Sequence, residues 1–79
     1  MKKIVSTITR YDAGDGFFID IEESLSALEA WIWTQEYEVK WQMAYIMKNR
    51  GMDYDDFVKV VEANLSQYKE QYWKEVEYL

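Results

Sequence analysis

The chain of 79 residues contains no cysteine, no histidine and no proline. Without cysteine it can form no disulfide, and it offers no thiolate as a nucleophile or zinc ligand. Without histidine it lacks the commonest general base and the commonest metal ligand. We therefore expect a protein that is not an enzyme, with no catalytic residue, no metal site and no cofactor.

Long apolar runs are missing as well. The longest, at residues 31–33 and 43–47, are far shorter than the roughly 20 residues that a membrane-spanning helix needs. Lys2 and Lys3 are followed by only two apolar residues before Ser6, which is too few for a signal peptide. These features predict a cytoplasmic protein without a membrane partner, and the length fits a single domain over residues 1–79.

Negative charge dominates and is unevenly distributed. The net charge of −6 disfavours direct binding to nucleic acid or to anionic membranes, since both require clustered Lys and Arg. From Tyr11 to Val39 there is no basic residue, while the rest of the chain carries nine bases and seven acids. The base-free segment holds eight acids: Asp12, Asp15, Asp20, Glu22, Glu23, Glu29, Glu36 and Glu38.

Two interpretations of these eight acids remain open. They can form a solvated surface that keeps a small protein in solution. They can also form an anionic recognition face, because like charges gathered on a small domain destabilise it and such a cost suggests a use. Under the second interpretation all eight are candidate partner-binding residues for a basic protein surface.

The first third of the sequence predicts a β-hairpin. Polar and β-branched residues alternate over residues 3–10, and apolar residues alternate again over residues 17–21, which is typical of strands. Between them, residues 12–16 read Asp-Ala-Gly-Asp-Gly. Gly and Asp tolerate the positive φ angles that hairpin turns need.

Helical signals follow. Ser26 and Glu29 fit a capping box, with Ser24 as a rival cap, and apolar residues recur at helical spacing up to Ile46. We expect this central helix to end before Gly51, which suits a left-handed C-cap. It can also break near Thr34.

A last helix is predicted to begin after Asp53, a good N-cap with acids in the first turn. Its apolar stripe consists of Phe57, Val61, Leu65, Tyr68, Tyr72, Val76 and Leu79. The predicted fold class is thus α+β, an N-terminal hairpin followed by two helices, or three if the central helix breaks.

Aromatic residues are abundant and partly periodic. Trp33, Tyr37, Trp41 and Tyr45 recur every four residues, which would align them on one face of the central helix. Such a face either packs in the core or forms an exposed interface, because Trp and Tyr are common interface anchors.

Two other candidate sites, a calcium loop and two acid pairs, are disfavoured by the sequence. A calcium loop from Asp12 to Glu23 would place Phe17 where an EF-hand requires glycine. The acid pairs at residues 22–23 and 55–56 flank predicted helix starts, where carboxylates are favourable without any catalytic role.

In size, acidity and lack of catalytic residues, the chain resembles small acidic inhibitors of phages and mobile elements, such as anti-CRISPR and anti-restriction proteins that imitate nucleic acid. Bacteriocin and toxin immunity proteins share this profile. The resemblance includes no residue-by-residue match and transfers no functional position. It implies a non-catalytic inhibitor that occupies the basic nucleic-acid-binding surface of a target protein. The alternative is a homodimeric or adaptor-like module that binds through an exposed Trp and Tyr helix face.

Overall fold

The computed structural model describes residues 6–77, in which a four-stranded antiparallel sheet precedes two helices. The strands are β1 (Ser6–Gly14), β2 (Phe17–Ser24), β3 (Ala27–Thr34) and β4 (Trp41–Met47), and the helices are α1 (Tyr54–Ala63) and α2 (Leu65–Val76). The strands lie side by side in chain order. This architecture confirms the predicted α+β class and its N-terminal hairpin, and both observed helices lie in the segment that was predicted as the last helix.

The predicted hairpin is formed by β1 and β2, which pair with Arg10 opposite Asp20. Asp15 and Gly16 connect them with φ angles of 55° and 80°, the left-handed pair of a type I′ turn, whose twist matches that of the strands. The predicted first strand began at residue 3, and its residues 3–5 lie outside the described residues. The second strand extends beyond its predicted end at residue 21 to Ser24.

The predicted central helix over residues 26–49 is wrong, because this segment forms β3 and β4. The spacing of its apolar residues fits both the period of a helix, about 3.6 residues, and the period of a strand, about two residues. Leu28, Ala30 and Ile32 alternate along β3 and are all buried against the helices. Two more strands give the hairpin partners, and a lone hairpin is at best marginally stable in water.

The serines that suggested a helix cap make a turn instead. The Ser24 hydroxyl accepts hydrogen bonds from the backbone N–H groups of Ser26 (3.3 Å) and Ala27 (3.1 Å). A serine oxygen satisfies the N–H groups of a turn as readily as those of a helix start. The same residues therefore close the tight connection between β2 and β3.

The predicted last helix is divided in two. It begins as expected, because the Asp53 carboxylate accepts from the Asp56 N–H at 2.9 Å. At Asn64 the chain leaves helical geometry, and the side-chain amide donates to the Val60 carbonyl. Asparagine competes for backbone groups in this way and is a poor interior helix residue. Gly51 is left-handed as expected, with a φ of 84°, but it ends a short 3₁₀ turn at Lys48–Arg50.

The core lies between one face of the sheet and the two helices. Tyr72 of α2 is at its centre, with its ring 5.4 Å from Phe17 and 5.0 Å from Trp41. The buried cluster consists of Phe17, Ile19, Ile21, Leu28, Ala30, Ile32, Met43, Phe57, Val61, Tyr72 and Val76. Alternation along the strands and cross-strand pairing place other residues on the opposite face, here called the open face: Ile8, Arg10, Asp12, Phe18, Asp20, Glu22, Glu29, Trp31, Trp33, Gln42, Tyr45 and Met47.

Candidate binding surface

Four of the eight predicted partner-binding acids lie at one end of the sheet. Strands in chain order place the β1–β2 turn and the β3–β4 loop at the same end, and Phe17 pairs directly with Thr34 there. The acidic end, as we name it, comprises the exposed residues Asp12, Asp15, Glu36 and Glu38. Two of them, Asp15 and Glu36, border the same surface depression.

The β1–β2 turn is held in place by its own side chains and by α2. The Asp12 carboxylate accepts from the Gly14 N–H at 2.9 Å. Lys69 reaches over from α2 and donates to the Ala13 carbonyl (2.6 Å) and to Asp15 (3.1 Å). Asp15 nevertheless remains 82% exposed, so its carboxylate is accessible from solvent.

The β3–β4 loop is likewise anchored to α2. The Tyr72 hydroxyl donates to the Val39 carbonyl at 3.0 Å, and the Tyr37 ring meets Trp73 edge-on at 5.8 Å. Glu38 donates its N–H to the Thr34 carbonyl and has a φ of 55°. A left-handed glutamate is uncommon and costs free energy unless its surroundings enforce it. The loop therefore presents its two glutamates from a fixed backbone.

Three further predicted acids lie away from the acidic end. Glu22 and Glu29 are direct cross-strand partners on the open face. Glu29 accepts a hydrogen bond from Gln42, and both glutamates are half-buried. Glu23 lies near the opposite end of β2 and forms a 2.9 Å ion pair with Lys48. The eight acids thus do not form one continuous face.

Asp20, predicted as an exposed partner-binding residue, is buried at 2% exposure. Its carboxylate pairs with Arg10 at 2.8 Å and with Lys40 at 2.6 Å. Arg10 and Lys40 are the two bases that bound the base-free segment in the sequence, and the sheet brings both back onto it. Asp20 sits in an alternating strand with Arg10 directly across in the hairpin register, which is set by a bulge between Asp12 and Gly14 that no sequence signal predicted.

These contacts decide the charge state of Asp20. Burial alone would raise its pKa, but hydrogen bonds from Arg10 and Lys40 outweigh burial and lower the pKa to about 2. The indole N–H of Trp33 faces the carboxylate and contributes to this lowering, although its geometry falls short of a hydrogen bond. Asp20 is therefore ionised at neutral pH and engaged within the chain.

The predicted aromatic ladder does not exist as a face, because its members lie on two strands and a loop. Trp33 is buried on the open face, where it stacks on Phe18 at 5.0 Å under the Arg10 guanidinium at 4.5 Å. Trp41 belongs to the helix-covered side. Tyr37 lies in the β3–β4 loop, and Tyr45 is 54% exposed on the open face. The predicted Trp and Tyr helix face is thus wrong.

Among residues 6–77, no three His, Cys, Asp or Glu side chains are grouped so that they could hold a metal ion. None of the helices in this part of the chain has both the length and the apolar character that crossing a bilayer requires.

No family model, curated protein or solved structure matches this chain. Any functional proposal therefore rests on the surface of the molecule itself.

Proposed function

We propose that the protein is a non-catalytic binding module that docks its acidic end on the basic surface of a partner protein. The observation that supports this is the placement of Asp12 at the end of β1 and of Asp15, Glu36 and Glu38 on the two connections at the same end of the sheet. Among the described ion pairs, only that of Lys69 with Asp15 reaches this group. Most of its negative charge is therefore left to act on a partner.

The chemistry of the partner follows from this charge. A surface that binds nucleic acid neutralises phosphates with clustered Lys and Arg, and the same cations attract carboxylates. An acidic end seated on such a surface excludes nucleic acid, as the anti-CRISPR and anti-restriction inhibitors that the chain resembles do. We expect this inhibition to occur in the cytoplasm. Long-range attraction would mainly speed association and would weaken with salt.

Three substitutions remove charge from the acidic end while respecting its backbone. Asp15→Asn keeps the turn, because Asn-Gly is a preferred type I′ pair. Glu38→Asn places a residue that tolerates positive φ at that position. Glu36→Gln changes an exposed loop residue. The matched control neutralises the three half-buried predicted acids away from the acidic end with Glu22→Gln, Glu23→Gln and Glu29→Gln.

Both triple variants raise the net charge by the same amount, so only the position of the charge differs. The unaltered protein and both variants are used to capture partners from a lysate of the source cells at low salt. We expect a basic, nucleic-acid-binding protein that the acidic-end variant loses and the control variant keeps. Added duplex DNA should compete for the captured protein. Equal capture by both variants, or no basic protein captured at all, would refute the proposal.

The open face favours a second candidate, a homodimer. Ile8, Tyr45 and Met47 are 58%, 54% and 44% exposed there, and aromatic and Met side chains are enriched in interfaces. Sedimentation of the unaltered protein and of Tyr45→Ser tests this. A dimer that persists in high salt and dissociates in Tyr45→Ser would support it. A monomer at all concentrations would exclude it.

A further inference from the structure

A cavity of about 240 Å³ lies between the hairpin and the two helices. Its walls are apolar and come from both layers of the fold. They consist of Ile19 and Ile21 of β2, Val58 and Val61 of α1, and Leu65 of α2. The two isoleucines are 4% and 1% exposed, so the floor of the cavity is well shielded from solvent.

The mouth of this cavity is polar and negatively charged. Tyr11 and Glu62 line it, whereas the side chain of the neighbouring Asp12 lies on the open face. The Tyr11 hydroxyl lies 2.7 Å from the hydroxyl of Tyr54, the first residue of α1, and this contact ties the edge strand to the helix. Glu62 forms no ion pair with any described residue.

The surroundings of Tyr11 also raise the pKa of its phenol. Its hydrogen bond with Tyr54 raises the pKa of the phenol, burial adds to this, and the negative charges of Asp55 and Glu62 raise it further, to about 12. A phenol surrounded in this way keeps its proton at neutral pH. Its oxygen can accept a hydrogen bond from a cation at the mouth, as the nearby carboxylates can.

Size and charge together select a ligand. An apolar cavity of about 150 Å³ is large enough for benzene, so this one has room for an aromatic ring and a short chain. We propose that the cavity binds a small organic amine, with its apolar body between Ile21, Val61 and Leu65 and its ammonium group at the Glu62 carboxylate. This site is independent of the acidic-end proposal, since neither requires the other.

Three ligands of similar shape and different charge test the proposal. They are 2-phenylethylamine, 2-phenylethanol and 3-phenylpropionate, titrated into the full chain while the methyl NMR signals of Ile, Leu and Val are recorded. We expect saturable shifts at the methyl groups of Ile21, Val61 and Leu65. The amine should bind about threefold to fivefold tighter than the alcohol, the gain expected for one exposed charge pair, and the carboxylate should bind most weakly.

Two variants separate the charge from the cavity. In Glu62→Gln the affinity of the alcohol should stay the same, and the advantage of the amine should fall towards one. In Val58→Phe the new ring occupies the cavity, and binding of all three ligands should be lost. Val60→Phe is the matched control, because Val60 lies on the same helix, is 40% exposed and is absent from the cavity wall.

Three results would overturn the proposal. The first is no saturable methyl shift up to about 20 mM ligand. The second is that 3-phenylpropionate binds as tightly as 2-phenylethylamine. This comparison uses the unaltered protein, so it remains valid even if Val58→Phe does not fold. The third is a folded Val58→Phe variant that binds like Val60→Phe. Both proposals are separable, since the acidic-end variants leave Glu62 unchanged.

Discussion

Replacing Asp20 by asparagine tests whether its buried charge stabilises the fold. The carboxylate is 2% exposed and lies within 3 Å of both Arg10 and Lys40. Lowering its pKa from 3.8 to about 2 corresponds to about 2 kcal/mol of stability. This is an upper value, because the side chains of Arg10 and Lys40 are 53% and 45% exposed and water re-solvates them when the pair is broken.

The pH dependence has a definite sign. Because folding lowers the pKa of Asp20, its contribution is fully present above pH 4 and is lost as the pH falls towards 2. We therefore expect Asp20→Asn to be less stable than the unaltered protein by up to about 2 kcal/mol at pH 7, or up to about 10 °C in Tm. The difference should shrink to within about 0.5 kcal/mol at pH 2, where Asp20 is about half protonated in the folded protein and almost fully protonated in the unfolded chain.

Urea unfolding followed by tryptophan fluorescence at several pH values between 2 and 7 measures this difference. Glu22→Gln is the matched control, on the same strand and face but without an ion pair to a described residue. Its difference from the unaltered protein should stay within about 0.5 kcal/mol. A loss in Asp20→Asn that is equal at pH 2 and pH 7 would show that packing matters and the charge does not. A more stable variant would mean that the cost of burying the charge exceeds the gain from pairing.

Three further predictions concern the core, the turn and metal binding. Tyr72→Phe should destabilise the protein by about 1–2 kcal/mol in urea unfolding, because a partly buried carbonyl of the β3–β4 loop loses its donor. Gly16→Ala should lower the free energy of unfolding by about 1–2 kcal/mol in the same assay, because the φ angle of Gly16 is +80°. Steric overlap is not the cause, since no atom lies within 4 Å of the added methyl group. Asp15→Asn in the same turn should change the free energy of unfolding by less than about 0.5 kcal/mol. Calcium or magnesium should move Tm by no more than about 1–2 °C, because the register separates Asp12 from Glu23 along the hairpin; a shift above about 10 °C would reveal a real site.

Local signals were sufficient for the hairpin and for the start of the helical part. The hairpin followed from alternation and from the Asp-Gly turn, and the start of α1 followed from Asp53. The helix prediction for residues 26–49 was wrong because the spacing of their apolar residues fits both a helix and a strand, and because a serine can cap a helix or close a turn. Only the need of the hairpin for further strands distinguishes the two, and that is a tertiary effect.

The candidate surface was predictable in composition and not in arrangement. The base-free segment could be identified by counting charges, and the acidic end is part of it. The burial of Asp20 depends on Arg10 and Lys40, which lie ten and twenty residues away on either side. The pairing with Arg10 depends on the bulge between Asp12 and Gly14 that sets the hairpin register. The pairing with Lys40 depends on the path of the chain through β3 and the β3–β4 loop, and this path was not predicted because a helix was expected there.

The order of the strands has a consequence for the synthesis of the chain. Because each strand pairs with its sequence neighbours, the contacts of the sheet close short loops, and such topologies form quickly. All four strands leave the ribosome before α1 and α2, which carry Phe57, Val61, Tyr72 and Val76. Until α2 emerges, the nascent sheet presents its apolar face, including Phe17 and Ile32, to solvent. The growing chain is therefore most vulnerable to aggregation and to chaperone capture in the interval between completion of β4 and the arrival of Tyr72.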